Sequence, residues 1–178
     1  MDQTILFWRD FLGMRLIARF GRPGNLTCFF EAQAGMLIAF MEWEGVEPIG
    51  RKENSVPVEG PFACDHLSLA VGSDDELRAL KDRLSAAGFA ASEINDHGFI
   101  HSLSTFDPNT IAREFTSDVP RIDLHGHPLA ADHDPTPIAA EGPEPQPGRW
   151  PPVTARTPVE KRRMVPGSGQ RPFLGRDL

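Results

Sequence analysis

The chain has 178 residues, 40% of them apolar, and a formal net charge of −7. That length suffices for one domain with a sizeable core. The acidic balance argues against a nucleic-acid partner, no run reaches the ~18 apolar residues of a membrane span, and no signal peptide is visible, so a cytoplasmic location is expected.

Met1 to Met14 reads as a helix, with Asp2 as the candidate N-cap. Ile5, Leu6, Phe7, Trp8, Phe11 and Leu12 give it a wide apolar face at helical spacing. Gly13 suits the C-terminal end. Such a face should lie on a sheet, yet no strand precedes it. Three strands follow: Met14 to Phe20, Leu26 to Glu31 and Met36 to Trp43. Gly21 to Asn25 joins the first two, and Ala32 to Gly35 forms a hairpin between the last two. Residues 45–62 are polar, carry prolines and glycines, and read as a linker.

The second half repeats the first. Ala63 to Val71 is a predicted strand whose alternation puts Cys64, His66, Ser68 and Ala70 on one face. Cys28 and Cys64, the two cysteines, read as buried free thiols in a reducing compartment. Ser73 and Glu76 form a capping box. Leu77, Leu80, Leu84 and Ala87 make the apolar face of the helix it opens, and Gly88 ends it. Short strands are predicted over Ala90 to Ile94, Phe99 to Phe106 and Thr110 to Thr116, with Asp107-Pro108-Asn109 as the turn before the last. The halves are therefore βαβββ (63–117) and αβββ (1–44); the piece without a counterpart is a strand before the first helix. Met1 is accordingly expected to be an internal position, or the chain truncated.

From Asp118 the composition changes. Twelve of the 17 prolines lie between Pro120 and the end. Residues 118–178 are expected to form an extended arm with Trp150 as its anchor. Its basic end, Arg156 to Leu178, is expected to be a solvated tail, the alternative being an arm that wraps a partner subunit. His125, His127 and His133 are read as surface residues of this arm.

His66 in the first strand of the second unit and Glu114 in its last form an arrangement suited to a metal. With FWRDFLGMRLI, DHLSLAV followed by LKDRLSAAGF, and DHGFIHSLSTFDPNTIAREFT, the chain resembles the vicinal oxygen chelate superfamily over about residues 1–117. That family includes glyoxalase I, extradiol ring-cleaving dioxygenases, fosfomycin-modifying enzymes and bleomycin-resistance proteins. The resemblance implies an α+β fold of paired βαβββ modules in a cupped mixed sheet, the first module lacking its first strand. It implies a homodimer that binds a small molecule, and the metal ligands His66 and Glu114.

The corresponding position of the first module falls on Ala39, which has no donor. Two histidines and one glutamate would then remain, a set that suits Fe(II), with Mn(II) or Zn(II) as alternatives. The implied activity is Fe(II)-dependent extradiol-type dioxygenation of a small aromatic or vicinal-oxygen substrate. The third ligand would lie on the strand without a counterpart, so impaired activity is expected. His97 and His101 are the candidate acid–base residues. Ser104 stands where ring-cleaving relatives carry a tyrosine, Thr110 where the turn carries glycine, and Arg113 where relatives carry an apolar residue. The rival reading is a metal-free binding protein of the bleomycin-resistance kind. Glyoxalase-like isomerase chemistry is a third reading, disfavoured by Ala39. Leu37, Met41 and Phe106 are expected in the core.

Overall fold

The N-terminal helix is of two kinds. In this computed structural model, α1 (Asp2–Ile5) leads directly into a π-helical segment (Leu6–Phe11). Asp2 is not its cap: Met1 holds that position, and no side chain caps the helix. The wider π turn, in which Leu12 N–H donates to the carbonyl of Phe7, re-aims successive side chains. Phe7 and Trp8, adjacent in sequence, are both buried as a result. Gly13 ends the segment at φ +80°. The structure describes residues 1–47, 49–59, 64–124, 126–130, 135–167 and 173–174.

β1 (Arg15–Arg22), β2 (Asn25–Gln33) and β3 (Met36–Trp43) form an antiparallel meander. Period-two alternation sorts their residues. Cys28 and Phe30 are fully buried and Phe40 packs against Trp8, its ring centroid 5.0 Å away. Leu37 and Met41 point the other way and are about half exposed, so they are not core residues. Gly21 has φ +108°, and a Cβ there would lie 2.1 Å from the Asn25 carbonyl oxygen. Gly21→Ala is therefore expected to cost more than ~1 kcal/mol in urea unfolding.

The second sheet has the order β4 (Leu67–Ala70), β7 (Ala112–Asp118), β6 (Ile100–Phe106), β5 (Asn95–Asp96). β4 runs parallel to β7; the other pairs are antiparallel. Two expected strands are shorter than the sequence suggested. His66 and Cys64 precede β4, and Cys64 is exposed. Over 90–94 the only ladder contact is the bridge Ala91–Thr105. A 13-residue helix, α2 (Asp74–Ala86), connects β4 to this region. Half of its capping box forms: Ser73 Oγ accepts from Glu76 N–H, while the Glu76 carboxylate accepts from Gly72 N–H, one residue before the cap. Among the described residues the second edge of β3 pairs with no strand, whereas the equivalent edge of β7 pairs with β4.

One core serves both sheets. Ile5, Phe7 and Trp8 meet Cys28 and Phe30 from β2, Leu77, Leu80 and Leu84 from α2, and Leu103 and Phe115 from β6 and β7. Arg113 enters this core at 3% exposure. It does not snorkel out: it pairs with buried Asp107 and its guanidinium lies 4.8 Å from the Trp8 ring centroid. Asp107 also closes the β6–β7 turn, accepting from the amides of Asn109 and Ile111. Thr110 takes φ +62° in that turn, the conformation that favours glycine.

The chain divides into two compact units, Met1–Ile122 and Asp123–Leu178. The second contains the 3₁₀ turns Ala139–Glu141 and Val159–Lys161. Trp150, the expected anchor of the arm, is 83% exposed.

Candidate metal centre

Parallel pairing of β4 with β7 places Ser68 opposite Glu114. Glu114 faces away from α2, because its neighbours Arg113 and Phe115 are buried in the shared core. His66 enters from the residue just before β4. Its Nε2 lies 3.4 Å from Glu114 Oε2, and the two side chains are 26% and 14% exposed. Its Nδ1 lies 2.7 Å from Asp65 Oδ2.

The segment between the halves closes over this pair. Lys52 forms an ion pair with Asp65, and Ser55 N–H donates to Asp65 Oδ2 at 2.8 Å. Asn54 Nδ2 donates to Ser104 Oγ at 2.9 Å, and Ser104 lies opposite Glu114 in the β6–β7 ladder. The Arg51 guanidinium sits 3.9 Å over the Phe106 ring. Sequence reading took this stretch as a linker and missed Lys52, Asn54 and Asp65. The available signal was Asp65 itself, a carboxylate adjoining the candidate ligand.

The two donors fit a divalent first-row ion. His66 and Glu114 would hold it between them, their donor atoms lying 3.4 Å apart. Imidazole and carboxylate together suit iron, manganese or zinc. Among the described residues no group of three or more His, Cys, Asp or Glu forms a metal-holding cluster. Ala39 sits in mid-β3 opposite Phe29 and supplies no donor.

The two candidate acid–base histidines part company. His97 Nε2 lies 2.9 Å from Ser102 Oγ. Ser102 shares a sheet face with Ser104 and Glu114, so His97 is on the side of the candidate ligands. His101 is on the opposite face. Its Nδ1 lies 2.8 Å from Asp74 Oδ1, in the first turn of α2. The structure thus removes His101 from the neighbourhood of Glu114, for the period-two reason that separates adjacent residues of one strand. His127 is paired with Asp123 at 3.6 Å in the second unit. His125 and His133 lie outside the described residues.

Ser117 Oγ donates to Asp74, and with His101 it holds the Asp74 carboxyl below its ordinary pKa of 3.8. The folded state then binds fewer protons at this site than the unfolded state. The resulting stabilisation is present above the ordinary value and is lost as pH falls through the lower folded value. Ser117→Ala is expected to move the Asp74 titration upward, as followed by carboxyl ¹³C NMR.

A cavity of about 640 Å³ lies elsewhere, lined by Met14, Met36, Leu69, Leu80 and Phe115 among others. None of the candidate ligands lines it. No helix among the described residues is long and apolar enough to cross a membrane.

The Glyoxalase/Bleomycin resistance protein/Dioxygenase superfamily matches residues 1–115. The fold is similar to the glyoxylase/bleomycin resistance protein/dioxygenase domain from Frankia sp. EAN1pec. That similarity has 23% identity and a TM-score of 0.56, and covers 67% of this chain and 89% of that one. It is also similar to a mutant of the fosfomycin resistance protein FosX from Listeria monocytogenes, solved with Mn(II) and 1S,2S-dihydroxypropylphosphonic acid. Here the identity is 18% and the TM-score 0.51, covering 68% and 85% of the two chains. No curated protein matches. The family match spans both sheets and the strands around Glu114, and on it the chain belongs to the glyoxalase, bleomycin-resistance and dioxygenase family, the vicinal oxygen chelate superfamily.

Proposed function

We propose that the chain is a metal-dependent enzyme that acts on a small molecule bearing two adjacent oxygens. His66 and Glu114 would hold the cation, and Fe(II)-dependent extradiol-type ring cleavage is the reaction proposed. Mn(II) and Zn(II) suit the same donors. The observation that carries this reading is the approach of His66 Nε2 to Glu114 Oε2 on a sheet face turned away from the core. A bound divalent ion would supply Lewis acidity to paired substrate oxygens.

The chain's own groups have separable roles. Glu114 would contribute a carboxylate oxygen and His66 an imidazole nitrogen. Asn54 and Ser104 supply polar groups beside Glu114. His97, on the same face, is the candidate to accept a proton from a substrate hydroxyl. Its Nε2 partner Ser102 Oγ keeps the ring in place. A homodimer is part of the reading, because exposed Leu37, Met41 and Trp43 make β3 an apolar surface for a second copy.

Reconstitution with Fe(II) without oxygen, followed by catechol and air, tests the activity. A ring-opened product that appears with the native chain and is lost in Glu114→Gln supports it. Absence of product from native protein that holds iron would overturn ring cleavage. The metal-free binding protein is the second reading, favoured by Ala39 and by the exposed apolar face of β3. It requires ligand binding that a chelator leaves unchanged.

A further inference from the structure

The candidate ligand His66 is gripped at its far nitrogen by a device built from the segment between the halves and the residue that precedes it. Asp65 Oδ2 lies 2.7 Å from His66 Nδ1. The same oxygen accepts from Ser55 N–H at 2.8 Å, and Asp65 Oδ1 is paired with Lys52. A carboxylate so restrained has one direction left in which to accept from the imidazole. Donation from Nδ1–H would then leave Nε2 turned to Glu114, 3.4 Å away. Ser55 reaches Asp65 through a backbone bent to φ +57°, a conformation that L residues rarely adopt. Asn54 pins the other side of the segment to Ser104.

We propose that Asp65 is the positioning residue that fixes the tautomer and aim of His66, with Lys52 and the Ser55 amide holding Asp65 in place. The inference rests on the reading of His66 as a metal ligand. Outer partners of this kind orient ligating histidines and strengthen their donor nitrogen. It also gives residues 51–55 a task. They connect the halves, and they lock one ligand of the site when seated.

Two readouts test it on the full chain: Mn(II) affinity by electron paramagnetic resonance of free Mn(II), and the His66 Nδ1–H signal by ¹H–¹⁵N NMR of metal-free protein. The native chain is expected to show an exchange-protected Nδ1–H. Asp65→Ala is expected to lose that signal and to weaken Mn(II) binding ~10–100-fold. Asp65→Asn, whose amide oxygen still accepts, is expected to keep the signal and most of the affinity. Lys52→Met is expected to lower the protection. Thermal unfolding of each variant reports whether the fold survives.

Native-like signal and affinity in Asp65→Ala would overturn the inference. So would equal damage in Asp65→Ala and Asp65→Asn when both remain folded. Failure of the native chain to bind Mn(II), with the Nδ1–H signal still dependent on Asp65, would instead remove the metal reading and leave the orientation intact.

Discussion

Arg113→Ala is expected to lower stability by about 3–5 kcal/mol. The loss does not measure the worth of the ion pair; it measures what remains behind. Asp107 is 3% exposed and would keep its charge in the core without its cation. The amides of Asn109 and Ile111 would still reach it, but backbone donors carry no full charge. Arg113 also fills space over Trp8 and within 5.9 Å of the Phe40 ring centroid. Its Nε finds no partner among the described residues, so the site is imperfectly satisfied even when intact. Arg113→Met with Asp107→Asn should therefore recover much of the loss, because packing returns and no charge is stranded. Urea unfolding checks both variants. A change under ~1 kcal/mol for Arg113→Ala would contradict the burial of the pair.

Trp8→Ala is the second large effect, again about 3–5 kcal/mol. Trp8 is 0% exposed and is the largest of the fully buried side chains. It touches Phe30 and Phe40 from the first sheet and the Arg113 guanidinium from the second. Its removal would open a cavity where the two halves meet. Trp8→Phe should cost much less, since the indole N–H has no partner among the described residues and its loss breaks no hydrogen bond. Trp8→Ala and Arg113→Ala share a contact, so their effects should not add. A double variant that is additive within ~0.5 kcal/mol would show that the two do not couple.

Much of the fold could be read from residue order. The hairpins, the Ser73 N-cap and the leucine face of α2 are local features, and all three formed. Glycines at 13 and 88 took the positive φ expected at helix ends. The misses have physical reasons. A π turn is invisible to a 3.6-residue pattern, so residues 1–14 read as one α-helix although Leu6–Phe11 is π-helical. Leu37 and Met41 were expected inside, but composition alone does not say which face of a sheet has a covering layer. His101 was grouped with His97, although alternation places His101 on the Asp74 side of the sheet.

The candidate site was half legible. His66 and Glu114 came from the strand pattern and the family resemblance, and the fold brings them within 3.4 Å. Lys52, Asn54 and Ser55 could not be found that way. Their contacts depend on how residues 51–55 return across the second sheet, and no periodicity encodes that path. Asp65 was in plain view beside His66, but its role depends on a rotamer rather than on spacing.

Metal content is the most direct test of the central claim, that His66 and Glu114 form a divalent-cation site. The native chain, His66→Ala and Glu114→Ala would each be equilibrated with Fe(II) or Mn(II), desalted and measured by mass spectrometry. The account predicts metal retained by the native chain and lost from both variants, with unchanged thermal unfolding of the metal-free proteins. Metal absent from the native chain, or retained equally by all three, would contradict it.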